Sequence, residues 1–279
     1  VEETDRARVR ARNHVAAFIK SFYRRSDMSM LELTPDFIKE FAAYLSTEAG
    51  LRNGSIWANC MWLKGVVMKA HYNGLIPRNP FIQFHISPNV KEREYLTEDE
   101  LKAVMTHEFA DSKLAYIRDI FIFASFTALS FVDIQELTND NIVEVNGEKW
   151  ILSKRHKTKV AFQVKLLDIP LQIVERYRPM QKDNRIFPGL NYWSICKPLK
   201  RMIRECGITK SISFHCSRHG FATLALSKGM PIESVSRVLG HTNIVTTQLY
   251  AKITTQKLDN DLTMFGDKLS KTFNGITMS

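Results

Sequence analysis

Two histidines, an arginine and a tyrosine recur at short intervals near the C-terminal end of the chain. His215-Cys216-Ser217-Arg218-His219 comes first, then Leu239-Gly240-His241, then Thr246-Thr247-Gln248-Leu249-Tyr250. Cleavage of a phosphodiester without a metal needs this inventory. A nucleophile attacks in line, cationic donors hold the non-bridging oxygens as charge builds, and an acid protonates the departing oxygen. Tyr250 is the candidate nucleophile, because it lies in a polar stretch and not in an apolar stripe. Arg218 offers a planar fork suited to two phosphate oxygens. His215, three residues earlier, would project in a similar direction from the start of a helix, where the backbone itself favours phosphate. Ser217 or a neighbour could cap that helix. His241 follows a glycine able to end a helix and turn the next residue into a pocket.

Each residue alone has a plainer explanation. Most tyrosines pack with a hydroxyl hydrogen bond, and a histidine at a helix end need have no task. Several such coincidences in order are much rarer than one. His219 neighbours Arg218 but should point elsewhere and serve structure, and Cys216 should pack.

These groups need elements to position them. Residues 1–84 read as a helical domain. Apolar residues Val15, Phe18, Ile19 and Phe22 keep helical intervals, Thr34-Pro35 gives an N-cap with a first-turn proline, and residues 55–72 form an amphipathic helix stopped at Asn73-Gly74. Pro77, Pro80 and Pro88 interrupt the pattern, and residues 85–95 are assigned as a linker. Thr97 and Glu100 make a capping box that opens a second domain, residues 96–279. Its apolar stretch 116–129 should be central to the core. Asn146-Gly147 marks a hairpin between residues 142–145 and 150–152, and a further strand at 160–166 should pair back across a turn at 156–159. Helices follow near 172–177, 192–206, 217–228 and 232–239. The fold class is mainly α with a small antiparallel β-sheet.

Charge points to the partner. The net charge is +10 in 279 residues. No acid falls between Glu148 and Asp168, whereas Lys149, Lys154, Arg155, Lys157, Lys159 and Lys165 all do; Lys197, Lys200, Arg201 and Arg204 form a second group at helical spacing. Such patches suit a polyanion, most simply a nucleic acid, although a basic but ordinary enzyme would show the same net charge. The cysteines Cys60, Cys196, Cys206 and Cys216 form no Cys-x-x-Cys pair and are assigned as reduced thiols, with no metal and no cofactor. No run reaches the roughly 18 apolar residues of a membrane span, and no apolar signal core opens the chain. A cytoplasmic location is expected. The first residue is Val1, which leaves open a preceding segment.

The strings HCSRHGFATLAL and VLGHTNIVTTQLYA, with KRHKTKVAFQVKL upstream, resemble the tyrosine recombinases, or phage integrase family. The resemblance covers nearly the whole chain, the first domain matching the core-binding domain by architecture and the second matching the catalytic domain. It implies that Tyr250 forms a 3′-phosphotyrosyl link, that Arg218 clamps the scissile phosphate, that His215 and His241 bond it and assist proton transfer, and that Lys157 protonates the 5′ oxygen. It implies a homotetramer on two DNA duplexes, with a monomer in the absence of DNA left open. A helix over 258–265 would dock on a neighbouring protomer or, equally, pack within the chain.

One departure matters. The family places its first arginine in a Thr-Gly-x-Arg stretch; here the stretch reads Thr127-Ala128-Leu129-Ser130, so Ser130 stands in the arginine's place, with Asp133 matching the bracing acid three positions on. Losing a guanidinium clamp costs roughly 10²–10³ in rate if nothing replaces it. Arg155 is the candidate replacement, since in an extended strand it would share a side with Lys157. Integrases of conjugative-transposon type are a branch where this loss is known, and the chain resembles them most. The expected activity is site-specific DNA recombination. A relative that binds DNA but has lost catalysis, and a type IB topoisomerase-like relaxase, are the alternatives.

Overall fold

The computed structural model describes residues 2–88, 94–156, 159–181, 183–250 and 255–272. The chain divides into two compact units, Val1–Glu92 and Arg93–Ser279.

The first unit holds α1 (Glu2–Phe22), α2 (Pro35–Thr47) and α3 (Asn53–Tyr72). The Thr34 side chain accepts the Phe37 N–H at 3.2 Å, with Pro35 in the first turn, so α2 starts where the cap dictates. Its apolar stripe of Phe37, Ile38, Phe41 and Leu45 meets Phe18 from α1 and Cys60, Leu63 and Val67 from α3. This core is wholly apolar.

The second unit opens with α4 (Glu98–Thr106) behind the Thr97–Glu100 capping box. Next come α5 (Ser112–Thr127) and the single-turn α6 (Phe131–Gln135). Helix α5 is buried on nearly every side, which explains its lack of an amphipathic pattern, and it runs through the centre of the main core. Strands β1 (Ile142–Val145), β2 (Glu148–Lys154) and β3 (Ala161–Lys165) form an antiparallel sheet in that order. Asn146 and Gly147 both have positive φ, 53° and 77°, the turn the Asn-Gly pair demands. Ile151 pairs with Ile142 and Val164 and is fully buried, so the middle strand anchors the sheet to the core. Helices α7 (Asp168–Tyr177), α8 (Tyr192–Glu205), α9 (His215–Ser227), α10 (Ile232–Leu239), α11 (Val245–Gln248) and α12 (Thr255–Thr272) follow.

Two expectations need correction, and one of two alternatives falls away. Strand β2 stops at Lys154, so Arg155 lies in a turn and not on an extended strand: its N–H donates to the Val160 carbonyl and its own carbonyl accepts from Lys159, each at 2.8 Å. Lys159 has φ 56°, a bend that no strand could hold. Helix α9 begins at His215, two residues earlier than predicted, and Ser217 does not cap it; the Ser217 hydroxyl donates back to the Phe214 carbonyl at 2.7 Å. Leu258, Leu262, Met264 and Phe265 of α12 are exposed, between 51% and 59%, instead of packing within the chain. All four cysteines are free thiols. No described helix is long and apolar enough to cross a membrane.

Candidate active site

The C-terminus of α10 organises the site. The last carbonyls of a helix have no partner within it and carry partial negative charge. Here two consecutive ones take two guanidinium groups. The Val238 carbonyl accepts from Nη2 of Arg155 at 2.6 Å, and the Leu239 carbonyl accepts from Nη2 of Arg218. Arg218 also donates through Nη1 to the Ala128 carbonyl at 2.9 Å. Ala128 closes α5 in the left-handed conformation, φ 55°, which exposes that carbonyl to the arginine. Gly240 then ends α10 at φ 62°, and a Cβ there would lie 2.9 Å from Nε of Arg155 and 3.0 Å from its Cγ. The glycine thus serves both the turn and the close passage of the arginine.

Arg155 is held from the other side by Asp133, 2.7 Å from Nη1, and its guanidinium carbon lies 4.0 Å from the centroid of the Phe162 ring. Its Nε is buried and has no partner among the described residues. Asp133 also accepts the Ser130 hydroxyl at 2.8 Å and the His156 N–H at 3.0 Å. Ser130 therefore caps α6 and braces the aspartate, while the guanidinium on that aspartate arrives from the hairpin turn. Burial alone would raise the Asp133 pKa; the His156 N–H, the Arg155 guanidinium and the Ser130 hydroxyl outweigh it and hold the carboxyl below its usual range.

Arg155 and Arg218 are only 5% and 8% exposed. Burial lowers the Arg155 pKa, with Asp133 opposing. The Arg218 pKa falls to about 10, through burial and then the charge of Arg155, with Tyr250 and Asp133 opposing. Two desolvated cations thus interact, and the one carboxylate bonded to either of them is Asp133, on Arg155. The half-buried His241 is pushed down to about 4 by burial, then by the charges of Arg218, Arg155 and His215. It is neutral at pH 7. Its Nδ1 meets the Thr247 hydroxyl at 2.8 Å, which leaves Nε2 for a ligand.

Tyr250 follows α11, its N–H donating to the Thr247 carbonyl at 3.0 Å. Its ring is half-buried against the small cluster of Ala128, Ala222, Leu226, Val235 and Leu239. The His241 ring lies nearly parallel to it at 6.4 Å and 13°. The structure thus brings Tyr250, Arg218, His215, His241, Arg155 and Asp133 into one neighbourhood, with Ser130 one step behind. Lys157 lies outside the described residues. His219 does not point elsewhere as expected: its ring meets Tyr250 edge-on at 4.8 Å and 75°, and His215 at 5.3 Å and 73°. The i, i+4 spacing of His215 and His219 carries that signal, because such residues share a helix face. Thr247, fully buried under His241, also escaped sequence reasoning; a Thr-Thr pair has no distinctive spacing by itself.

Residues 94–257 match the phage integrase family, and residues 2–86 match the phage integrase SAM-like domain. Tyrosine recombinase XerA of Pyrococcus horikoshii is 32% identical over 177 residues, 58% of each chain, so the chain spans less than two thirds of that relative's length. Tyrosine recombinase XerC of Lactobacillus leichmannii is 25% identical over 77% of each chain. The fold resembles the Tn1549 transposon integrase in complex with transposon right end DNA (TM-score 0.76, 16% identity, 95% of this chain and 94% of that one). It also resembles a lambda integrase dimer bound to a core site (TM-score 0.65, 18% identity, 85% and 86%).

Proposed function

The chain belongs to the phage integrase family, and from that premise we propose that it is a site-specific DNA recombinase working through a 3′-phosphotyrosyl intermediate. The observation that carries this reading is the pair of buried guanidiniums beside Tyr250, Arg155 on the Asp133 carboxylate and Arg218 on the Ala128 and Leu239 carbonyls. An uncompensated buried cation calls for an anion, and a scissile phosphate supplies it.

The step is a balanced exchange. The Tyr250 oxygen forms a bond to phosphorus as the bond from phosphorus to the 5′ oxygen breaks. The phenol proton leaves to a nearby base, and the 5′ oxygen gains one proton. Arg218 and Arg155 take the non-bridging oxygens, Arg155 standing in for the arginine absent at Ser130. Neutral His241 donates through Nε2, and His215 completes the cradle. Lys157 is assigned as the acid for the 5′ oxygen. The energy of the broken linkage stays in the phosphotyrosine, so religation needs no external source.

The helical residues 1–84 are assigned to DNA backbone contacts, and residues 85–95 to a linker ahead of the catalytic domain. The partner is double-stranded DNA. The outer face of α8, with Lys197, Lys200 and Arg204 exposed, supports a DNA-facing surface on the second unit. The exposed apolar residues of α12 support docking on a neighbouring protomer, in a homotetramer on two duplexes.

The test is covalent capture on a nicked suicide substrate carrying the element's end. Wild type should accumulate a protein–DNA adduct and Tyr250→Phe none. An adduct formed by Tyr250→Phe would remove this tyrosine from the reaction, and tight binding with no wild-type adduct would favour a relative without catalysis. Relaxation of supercoiled plasmid lacking a site would favour the topoisomerase reading.

A further inference from the structure

The tyrosine sits in a frame of rings that its presumed chemistry does not explain. His215, His219 and Tyr250 form a run of edge-to-face contacts, at 5.3 Å between the imidazoles and 4.8 Å between His219 and the phenol ring. His241 covers the same phenol ring in near-parallel orientation. His241 is itself pinned by the fully buried Thr247, three residues before the tyrosine. From these contacts we infer that His219 is a positioning residue: it sets the plane of the Tyr250 ring so that the phenol oxygen meets the phosphate in line.

The backbone around Tyr250 is a short helical stretch, since α11 covers only Val245–Gln248, and it fixes where the ring begins but not how it turns. The terminal torsion of a tyrosine has a broad, roughly two-fold profile. Aromatic neighbours at edge-to-face distance narrow it, because the ring's quadrupole favours that approach. His219 is half-buried on α9, one turn beyond His215 on the same face, so its ring is carried by the helix that also carries Arg218. One rigid helix thereby fixes both the phosphate clamp and the orientation of the attacking ring. His219 acts through its contact with the nucleophile's ring.

This inference rests on Tyr250 being the nucleophile. The experiment compares single-turnover cleavage by wild type, His219→Ala, His219→Phe and His219→Gln on two nicked substrates. One carries the ordinary 5′ oxygen at the scissile link, and the other carries a bridging sulfur, which departs without needing a proton. Misplacing a reacting group by about 1 Å costs on the order of 10²-fold. His219→Ala should lose about that much on both substrates with unchanged DNA affinity. His219→Phe should recover most of the rate, since it keeps a ring edge, and His219→Gln should not. Three outcomes overturn the proposal: a wild-type rate for His219→Ala, a defect confined to the oxygen substrate, or rescue by Gln and not by Phe. Because the Phe and Gln variants are compared with one another, the conclusion stands even if the alanine variant folds poorly. Absence of any adduct from wild type would instead remove the nucleophile assignment beneath it.

Discussion

Two buried aspartates in the second unit each gather two arginine contacts or charges, and they behave in opposite ways. Asp119 accepts from Arg118 at 2.9 Å, from Arg176 at 2.7 Å and from the Tyr177 hydroxyl at 2.7 Å. The Arg176 side chain is 56% exposed, so water solvates the charge that Asp119 does not balance. Its bond to Asp119, then the carboxylate's charge, raises the Arg176 pKa. Asp133 faces Arg155 and lies close to Arg218, both buried, and both of these arginines have lowered pKa values. The residue types are alike; what differs is that Arg176 at Asp119 reaches water, while Arg118, 15% exposed, has the His107 carbonyl as well as the carboxylate. An arginine that can hydrate is stabilised by its aspartate and makes a structural tie. Two arginines that cannot hydrate have lowered pKa values even with an aspartate present, which marks this cluster as a candidate anion site.

The largest effect that could break this contrast is on stability. Removing one partner of a buried ion pair costs about 3–5 kcal/mol, because the other charge is stranded. Asp133→Ala should fall in that range. Asp119→Ala should lose less, about 1–3 kcal/mol, because Arg176 can turn into water and Arg118 keeps the His107 carbonyl, while the Tyr177 hydroxyl loses its acceptor. Urea unfolding midpoints measure both. Equal losses would mean that water access does not separate the two clusters.

The next effect is on rate. Arg218→Ala should reduce single-turnover cleavage by roughly 10²–10³, the usual consequence of deleting a charge-stabilising donor. Arg176→Ala should leave the rate within about twofold, a margin set by the small effects typical of exposed ion pairs. A large loss of cleavage in the Arg176 variant would make the Asp119 cluster part of the reaction and erase the distinction.

The contrast also shows what could be read from the chain. The signals local to a few residues translated directly: Thr34-Pro35, the Thr97–Glu100 box and Asn146-Gly147 each became the cap or turn that their chemistry requires. The apolar run around Ile120 became the buried centre of the unit for the same reason. The arrangement of Arg155 was harder. Its place in the site comes from a turn closed by Val160 and Lys159, from a carboxylate 22 residues earlier and from a carbonyl 83 residues later. Neither long-range partner leaves a spacing signal beside Arg155. Gly240 was legible as a helix stop, but its second duty of giving room to Arg155 is a tertiary fact. His219 is less legible because its neighbour in sequence is Arg218, whereas its neighbour on the helix face, His215, lies four positions back.

The smallest effect is a pH slope, and it sharpens the comparison most specifically. His241 sits near 4 in the folded chain, through burial first and then the charges of Arg218, Arg155 and His215, against about 6.5 for a free histidine. Between those values the unfolded chain binds the proton more readily, so stability should rise as pH climbs from about 4 to 6.5 and level off above. His241→Gln should flatten that part of the curve, and subtracting it from wild type isolates this histidine from the carboxylates that titrate lower. Saturating DNA should shrink the wild-type slope as well, because a phosphate among the guanidiniums offsets the repulsion that helps hold His241 neutral. Arg176, at the other aspartate, titrates far above this window and adds nothing to it. A slope unchanged by DNA would mean that the phosphate does not enter between Arg155, Arg218 and His241, and the assignment of the Asp133 cluster as an anion site would fail with it.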